Sequence, residues 1–270
     1  MKTKPIGVFD SGLGGVTVLR ELVEQFPHEN FLYIGDTARL PYGSKSPETI
    51  RQYSVQAMQA LMRQEVKAIV VACNSASTQI PETSFMGLPV ITVIEPGACL
   101  AAQLSKGRVG LLGTRATVHS QAYVRALETQ ARVLQKEIKI FQQSAPLFVP
   151  LAEEGWVEDP VTNIIAYRYL SPLLQENIDT LILGCTHYPI LRAAIAKVAG
   201  SQIQLIDSGQ AVANSLRELM QTGVVPANED ATPASGKVEV QCTDWSEHFL
   251  MMAHALLDTL TEFTTTTVNL

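Results

Sequence analysis

Short runs of apolar and β-branched residues recur along this chain, each followed by a longer segment whose apolar positions return every three or four residues. The runs Ile6–Phe9, Phe31–Ile34, Ala68–Val71, Val90–Ile94, Arg108–Leu112, Ile138–Phe141, Thr180–Leu183 and Gln204–Ile206 predict strands. Between them, Val16–Gln25, Pro47–Gln64, Thr117–Gln130 and Pro160–Gln175 carry the helical period. Short strands separated by helix-length segments build βαβ units and therefore parallel sheet. Several runs are apolar at every position, as strands covered on both faces must be. The predicted fold class is α/β, with mostly parallel strands flanked by helices.

The pattern also repeats. Pro5-Ile6-Gly7-Val8-Phe9-Asp10-Ser11 resembles Arg108-Val109-Gly110-Leu111-Leu112-Gly113-Thr114, a strand with an early glycine that closes on a hydroxyl residue. Ala68-Ile69-Val70-Val71-Ala72-Cys73-Asn74 likewise resembles Thr180-Leu181-Ile182-Leu183-Gly184-Cys185-Thr186. A duplication follows, giving two pseudo-symmetric open sheets whose equivalent strands end in equivalent places. Glu95-Pro96-Gly97 is the expected boundary, with residues 1–96 plus 207–270 forming one domain and residues 97–206 the other. Thr222–Lys237 reads as a loop before a last strand, Val238–Cys242, and a helix. The Thr264–Thr267 run has little to pack against and is expected to fray.

Composition narrows the function. Of 270 residues, 46% are hydrophobic and 17% charged, the balance of a globular chain and not of a disordered one. Twenty Lys and Arg against 26 Asp and Glu give a formal charge of −6, the wrong sign for a dedicated nucleic-acid binder. No apolar run approaches the ~20 residues that cross a bilayer. The segment beginning Met1-Lys2-Thr3 lacks the apolar core of a signal peptide, so a cytoplasmic location is expected. Four cysteines without a Cys-x-x-Cys pair resemble neither a disulfide framework nor a structural zinc site.

Two of those cysteines stand where chemistry would. Cys73 and Cys185 each follow a buried-strand pattern, and open parallel sheets bind ligands at the carboxyl ends of their strands. A buried free cysteine is ordinarily a small core residue, the reading that holds for Cys99 and Cys242. Cys73 and Cys185 differ because polar residues follow each (Asn74-Ser75 and Thr186-His187) and because they occupy matching places in the repeat. Asp10 ends the first strand as Cys73 follows the third, and in the doubly wound order 2-1-3-4-5 those strands are neighbours. Asp10 could instead simply cap the next helix. His187 could shift the protonation of Cys185, since a neighbouring imidazolium lowers a thiol's pKa. Glu153-Glu154, taken alone, is an ordinary solvated pair.

Gly12-Leu13-Gly14-Gly15, with Asp36 after the second strand, invites a dinucleotide reading, but Thr17 stands where the third glycine belongs. No Walker lysine follows the glycines, and Cys185 with His187 falls short of a metal-ligand set. Two thiols facing one cleft from opposite sides suit a different reaction, in which one face of a carbon loses a proton and the other gains one.

At these residues the sequence resembles the glutamate racemases of the aspartate/glutamate racemase superfamily. The motifs that carry the likeness are Gly7–Gly15, Gly35-Asp36 with Pro41-Tyr42-Gly43, Ala72–Ser77, Pro150–Gly155 and Gly184–Pro189, in family order from residue 6 to about 210. Ser75 replaces the family's usual threonine and keeps its hydroxyl. The resemblance implies a two-domain enzyme that interconverts L- and D-glutamate for peptidoglycan synthesis, with no cofactor, no pyridoxal phosphate and no metal. It implies that Cys73 deprotonates D-glutamate and Cys185 L-glutamate, with Asp10 assisting the first and His187 and Glu153 the second. It places Asp10, Ser11, Tyr42, Gly43, Asn74, Ser75, Thr117, Thr186 and His187 at the substrate. A racemase for aspartate or another acidic amino acid is the alternative within the class. Outside it stands a non-catalytic regulatory protein, since some members inhibit DNA gyrase. The expected partner is the small-molecule substrate, with no membrane and no nucleic acid; a homodimer is left open.

Overall fold

The computed structural model describes residues 4–228 and 236–270. The first three residues, and with them the start of the leader reading, lie outside it, as does the middle of the loop expected over Thr222–Lys237. Eleven strands form two sheets among the described residues. The strands are β1 (Ile6–Asp10), β2 (Phe31–Gly35), β3 (Ala68–Val71), β4 (Ser84–Phe85), β5 (Leu88–Thr92), β6 (Arg108–Gly113), β7 (Lys139–Ser144), β8 (Thr180–Gly184), β9 (Gln204–Ile206), β10 (Val238–Cys242) and β11 (Phe263–Thr267). The larger sheet has the order β11-β10-β2-β1-β3-β5-β4, and the smaller β7-β6-β8-β9. Every pairing is parallel except β4 with β5.

The repeat predicted from sequence is visible in this order. In the larger sheet β1 lies between β2 and β3, with β5 beyond; in the smaller, β6 lies between β7 and β8, with β9 beyond. Thus β1 and β6 are counterparts, as are β3 and β8. Both central pairs are apolar because helices cover both faces; β1, β3 and β8 are buried at every position.

One core joins the halves. Ile6, Val8, Val70 and Val240 of the larger sheet belong to the same buried cluster as Val109, Leu111 and Ile182 of the smaller, with Leu19, Ala98 and Val212 from helices between them. A fully buried Val, Leu or Ile is worth about 1.5–3 kcal/mol, against about 1 kcal/mol for a net hydrogen bond. Shared apolar burial therefore holds the two sheets together, and polar contacts at their rims only set the fit.

Two local expectations change. Thr264–Thr267 does not fray: Phe263–Thr267 pairs along β10 in full register. Four threonines bury little but are β-branched, and the backbone ladder gives them a place at an edge. Glu95-Pro96-Gly97, the expected boundary, forms the first turn of helix Ile94–Leu104, where a proline costs no hydrogen bond. The helical pattern at Thr117–Gln130 is in fact two helices, Arg115–His119 and Ala122–Leu134, separated at Gln121 with φ 56°.

Candidate active site

The carboxyl ends of β1 and β3 face those of β6 and β8 across a cleft. Between them is a cavity of about 270 Å³. Ser11, Tyr42, Gly43, Cys73, Asn74 and Ser75 line it from the first half, and Glu153, Cys185, Thr186 and His187 from the second. Hollows of about 480 and 590 Å³ lie elsewhere on the surface and contain neither thiol. The site is defined by its chemistry and not by its size.

Cys73 caps the short helix Asn74–Ser77. Its sulfur accepts the Ala76 N–H at 3.4 Å and lies 3.5 Å from the Ser11 hydroxyl. Burial pushes this thiol's pKa well up, and the nearby Asp10 carboxylate pushes it further. Asp10 does not line the cavity. It lies beneath, fully buried, accepting from the Gly12 N–H at 2.9 Å and from the Thr186 hydroxyl at 3.3 Å. Burial raises its pKa, opposed by the His187 charge and by the Gly12 and Gly15 N–H groups.

Cys185 has different company. Its sulfur stands 3.9 Å from His187 Nδ1, and His187 Nε2 meets Glu153 Oε1 at 3.0 Å. Burial works against the imidazolium, but the bonds to Cys185 and Glu153 outweigh it and raise the His187 pKa to about 10. At neutral pH a cation therefore sits beside this sulfur.

The glycines serve the seam. A Cβ on Gly14 would overlap Thr186 and His187, and one on Gly15 would overlap Asp10 and Tyr33. Thr17, the residue that spoils the dinucleotide pattern, places its hydroxyl 2.8 Å from the Gly14 carbonyl and 3.0 Å from that of Thr186. The loop thus receives the opposite half and leaves no cradle for a pyrophosphate. Asp36, the candidate ribose acid, is buried and accepts from Tyr42 Oη at 2.5 Å, Arg39 Nε at 2.7 Å and Thr243 Oγ1 at 3.1 Å. It anchors the cavity wall.

The remaining candidates sit in a hydroxyl chain. Ser75 Oγ is 3.0 Å from Thr114 Oγ1, which is 3.0 Å from Thr117 Oγ1. Thr114 lines the cavity and Thr117, fully buried, stands behind it. The repeat carried the signal for Thr114, the counterpart of Ser11. Arg115 also lines the cavity and escaped the sequence reading, because an arginine after a strand end looks like an ordinary surface residue. Asn74 Nδ2 donates to Tyr123 Oη at 2.9 Å, fixing the amide against the second half.

A mostly parallel α/β pair of sheets with two thiols on one cavity between them fits an amino-acid racemase, and comparison with known proteins agrees. The profile of the Asp/Glu/Hydantoin racemase family matches residues 6–216, and the chain belongs to this family. It is 50% identical over 220 residues to the glutamate racemase of Syntrophus aciditrophicus, covering 80% of each chain. It superposes on the Bacillus anthracis glutamate racemase isoform RacE1 with a TM-score of 0.91 at 33% identity, covering 100% of this chain and 99% of that one. For the Francisella tularensis glutamate racemase in complex with D-glutamate the TM-score is 0.88 at 34% identity, covering 100% and 98%.

Proposed function

We propose that this chain racemises glutamate by two-base proton transfer at Cα, the carbon lying between Cys73 and Cys185. The carrying observation is that two thiols reach one cavity from equivalent strand ends, each with its own charged neighbour. In the L-to-D direction Cys185 takes the α-proton while His187 and Glu153 balance the charge, and Cys73 supplies a proton to the other face. In the D-to-L direction Cys73 is the base, assisted by Asp10 from below, and Cys185 is the acid. The product of each turnover leaves the two thiols with exchanged protonation.

The α-proton is a weak acid made weaker by the adjacent carboxylate, so the carbanion needs donors already in place. Asn74, Ser75 and Thr186 serve here, with Ser11, Tyr42 and Gly43 completing the substrate wall; a donor aimed at developing charge is worth about 2.7–4 kcal/mol. Thr117 acts through Thr114, whose hydroxyl it orients. The division at residues 1–96 plus 207–270 and 97–206 places one thiol in each domain. The product would feed peptidoglycan synthesis, and a reaction that needs two free thiols suits a reducing compartment, the cytoplasm.

Circular dichroism of L-glutamate and of L-aspartate, each incubated with the purified protein, tests the reading. Loss of signal is expected with glutamate. Cys73→Ser and Cys185→Ser should each slow it by about 10²–10⁴, the range for losing an acid or base. Near-normal turnover in either variant overturns the two-thiol mechanism; loss with aspartate alone reassigns the substrate.

A further inference from the structure

The interior of the cavity is poorly disposed toward an anion. Asp10 lies under it, Glu153 is on its wall, and the proposed mechanism keeps one of the two sulfurs as a thiolate before and after each turnover. The His187 imidazolium is already answered by Glu153 at 3.0 Å and by the Cys185 sulfur. Glutamate at neutral pH carries two carboxylates and one ammonium, so it arrives with a net negative charge at a wall of the same sign.

Arg115 is the exception. It lines the cavity, it is exposed, and its side chain makes no hydrogen bond and no ion pair with the described residues. Other arginines are committed: Arg39 to Asp36, Arg51 to Glu82, Arg108 to Glu176 and Arg192 to Asp207. Arg115 follows Thr114 past the end of β6, and a Cβ on Gly43 would lie 2.8 Å from Thr114 Cβ. Arg115 is thus the next residue along the chain from a close contact between the two halves on the cavity wall.

We infer that Arg115 is the recruiting residue of the site, capturing a carboxylate of the incoming amino acid and offsetting the negative interior while the substrate passes to the thiols. This rests on the proposal that the cavity takes an anionic amino acid. An unpaired guanidinium offers a carboxylate two parallel N–H donors without first breaking another pair. A rim charge of this kind acts on capture and on salt dependence more than on the chemical step.

Alkylation of the two thiols separates recruitment from turnover. Iodoacetate is an anion and iodoacetamide its neutral counterpart; rates at Cys73 and Cys185 in the intact protein are read by peptide mass spectrometry. In Arg115→Gln the ratio of the iodoacetate rate to the iodoacetamide rate should fall about tenfold, within the range of electrostatic steering. Salt should lower the ratio in the parent protein and leave it unchanged in the variant, and Arg115→Lys should keep most of it. Racemisation by Arg115→Gln should show a raised KM with kcat little changed. A ratio within twofold of the parent's, or equal loss with both reagents, overturns the assignment. Because the alkylation ratio needs no turnover, it stands or falls separately from glutamate racemisation.

Discussion

The surroundings of Cys73 and of Cys185 share a frame and differ in sign. Both sulfurs are buried beyond the end of a central parallel strand, at positions related by the internal repeat. Around Cys73, burial and then the Asp10 carboxylate favour keeping the proton on the sulfur. Beside Cys185 is the His187 imidazolium, backed by Glu153. Negative charge on one sulfur has a cation beside it; on the other it has an anion. The duplicated backbone supplies two equivalent positions, and under the proposed mechanism a few side chains suit one to take a proton and the other to give one.

Breaking the helpers should break the two directions unequally. Asp10→Asn should weigh more on kcat for D-glutamate and His187→Asn more on kcat for L-glutamate, each by about 10²-fold or more. The enantiomers are equal in free energy, so kcat/KM must fall together in both directions and only kcat and KM can diverge. Solvent deuterium sharpens the comparison. With two bases the label enters mainly the product; heavy early labelling of recovered substrate would point to one shared base.

Glu153→Gln is a smaller perturbation with a defined sign. It removes one of the bonds that raise the His187 pKa to about 10, so the alkaline fall in kcat for L-glutamate should move to lower pH. The same shift has a stability consequence. A histidine raised from its ordinary 6.5 stabilises the folded state fully below about pH 6.5, and that contribution is lost as pH rises toward about 10. The urea midpoint of the parent protein should therefore fall between pH 6 and 9.5 by more than that of His187→Asn. Equal changes would show that the imidazolium is not held in the folded state.

The smallest expected effect concerns the seam. Thr17→Val removes the hydroxyl between the Gly14 and Thr186 carbonyls and should cost about 0.5–1.5 kcal/mol in chemical denaturation. Both directions of racemisation should suffer alike, because Thr17 touches neither thiol's helper.

What the sequence disclosed follows from what parallel sheet makes periodic. Strand ends mark the ligand side, so Asp10, Cys73, Cys185, Thr186 and His187 could be placed together from hydrophobic runs alone. Glu153 could not: it reaches His187 only through tertiary packing of the helix Phe148–Glu153, and a pair of acids after an apolar run has no local feature that predicts this. Thr117 was placed at the substrate from resemblance, whereas packing sets it one hydroxyl behind. Thr264–Thr267 was misread because hydropathy sees side chains, and an edge strand is held by its backbone.

The route of the chain through the larger sheet also bears on its synthesis. β2 is an inner strand of that sheet, yet the neighbour that covers its outer side, β10, comes after the whole of the second sheet, and β11 comes later still. A chain released from its amino end can assemble β2, β1, β3 and β5 early, but the β2 edge then stays open while the second half emerges. An unpaired strand edge is a template for pairing with another chain. The edge of β2 is therefore open to mispairing until β10 has been synthesised and can cover it.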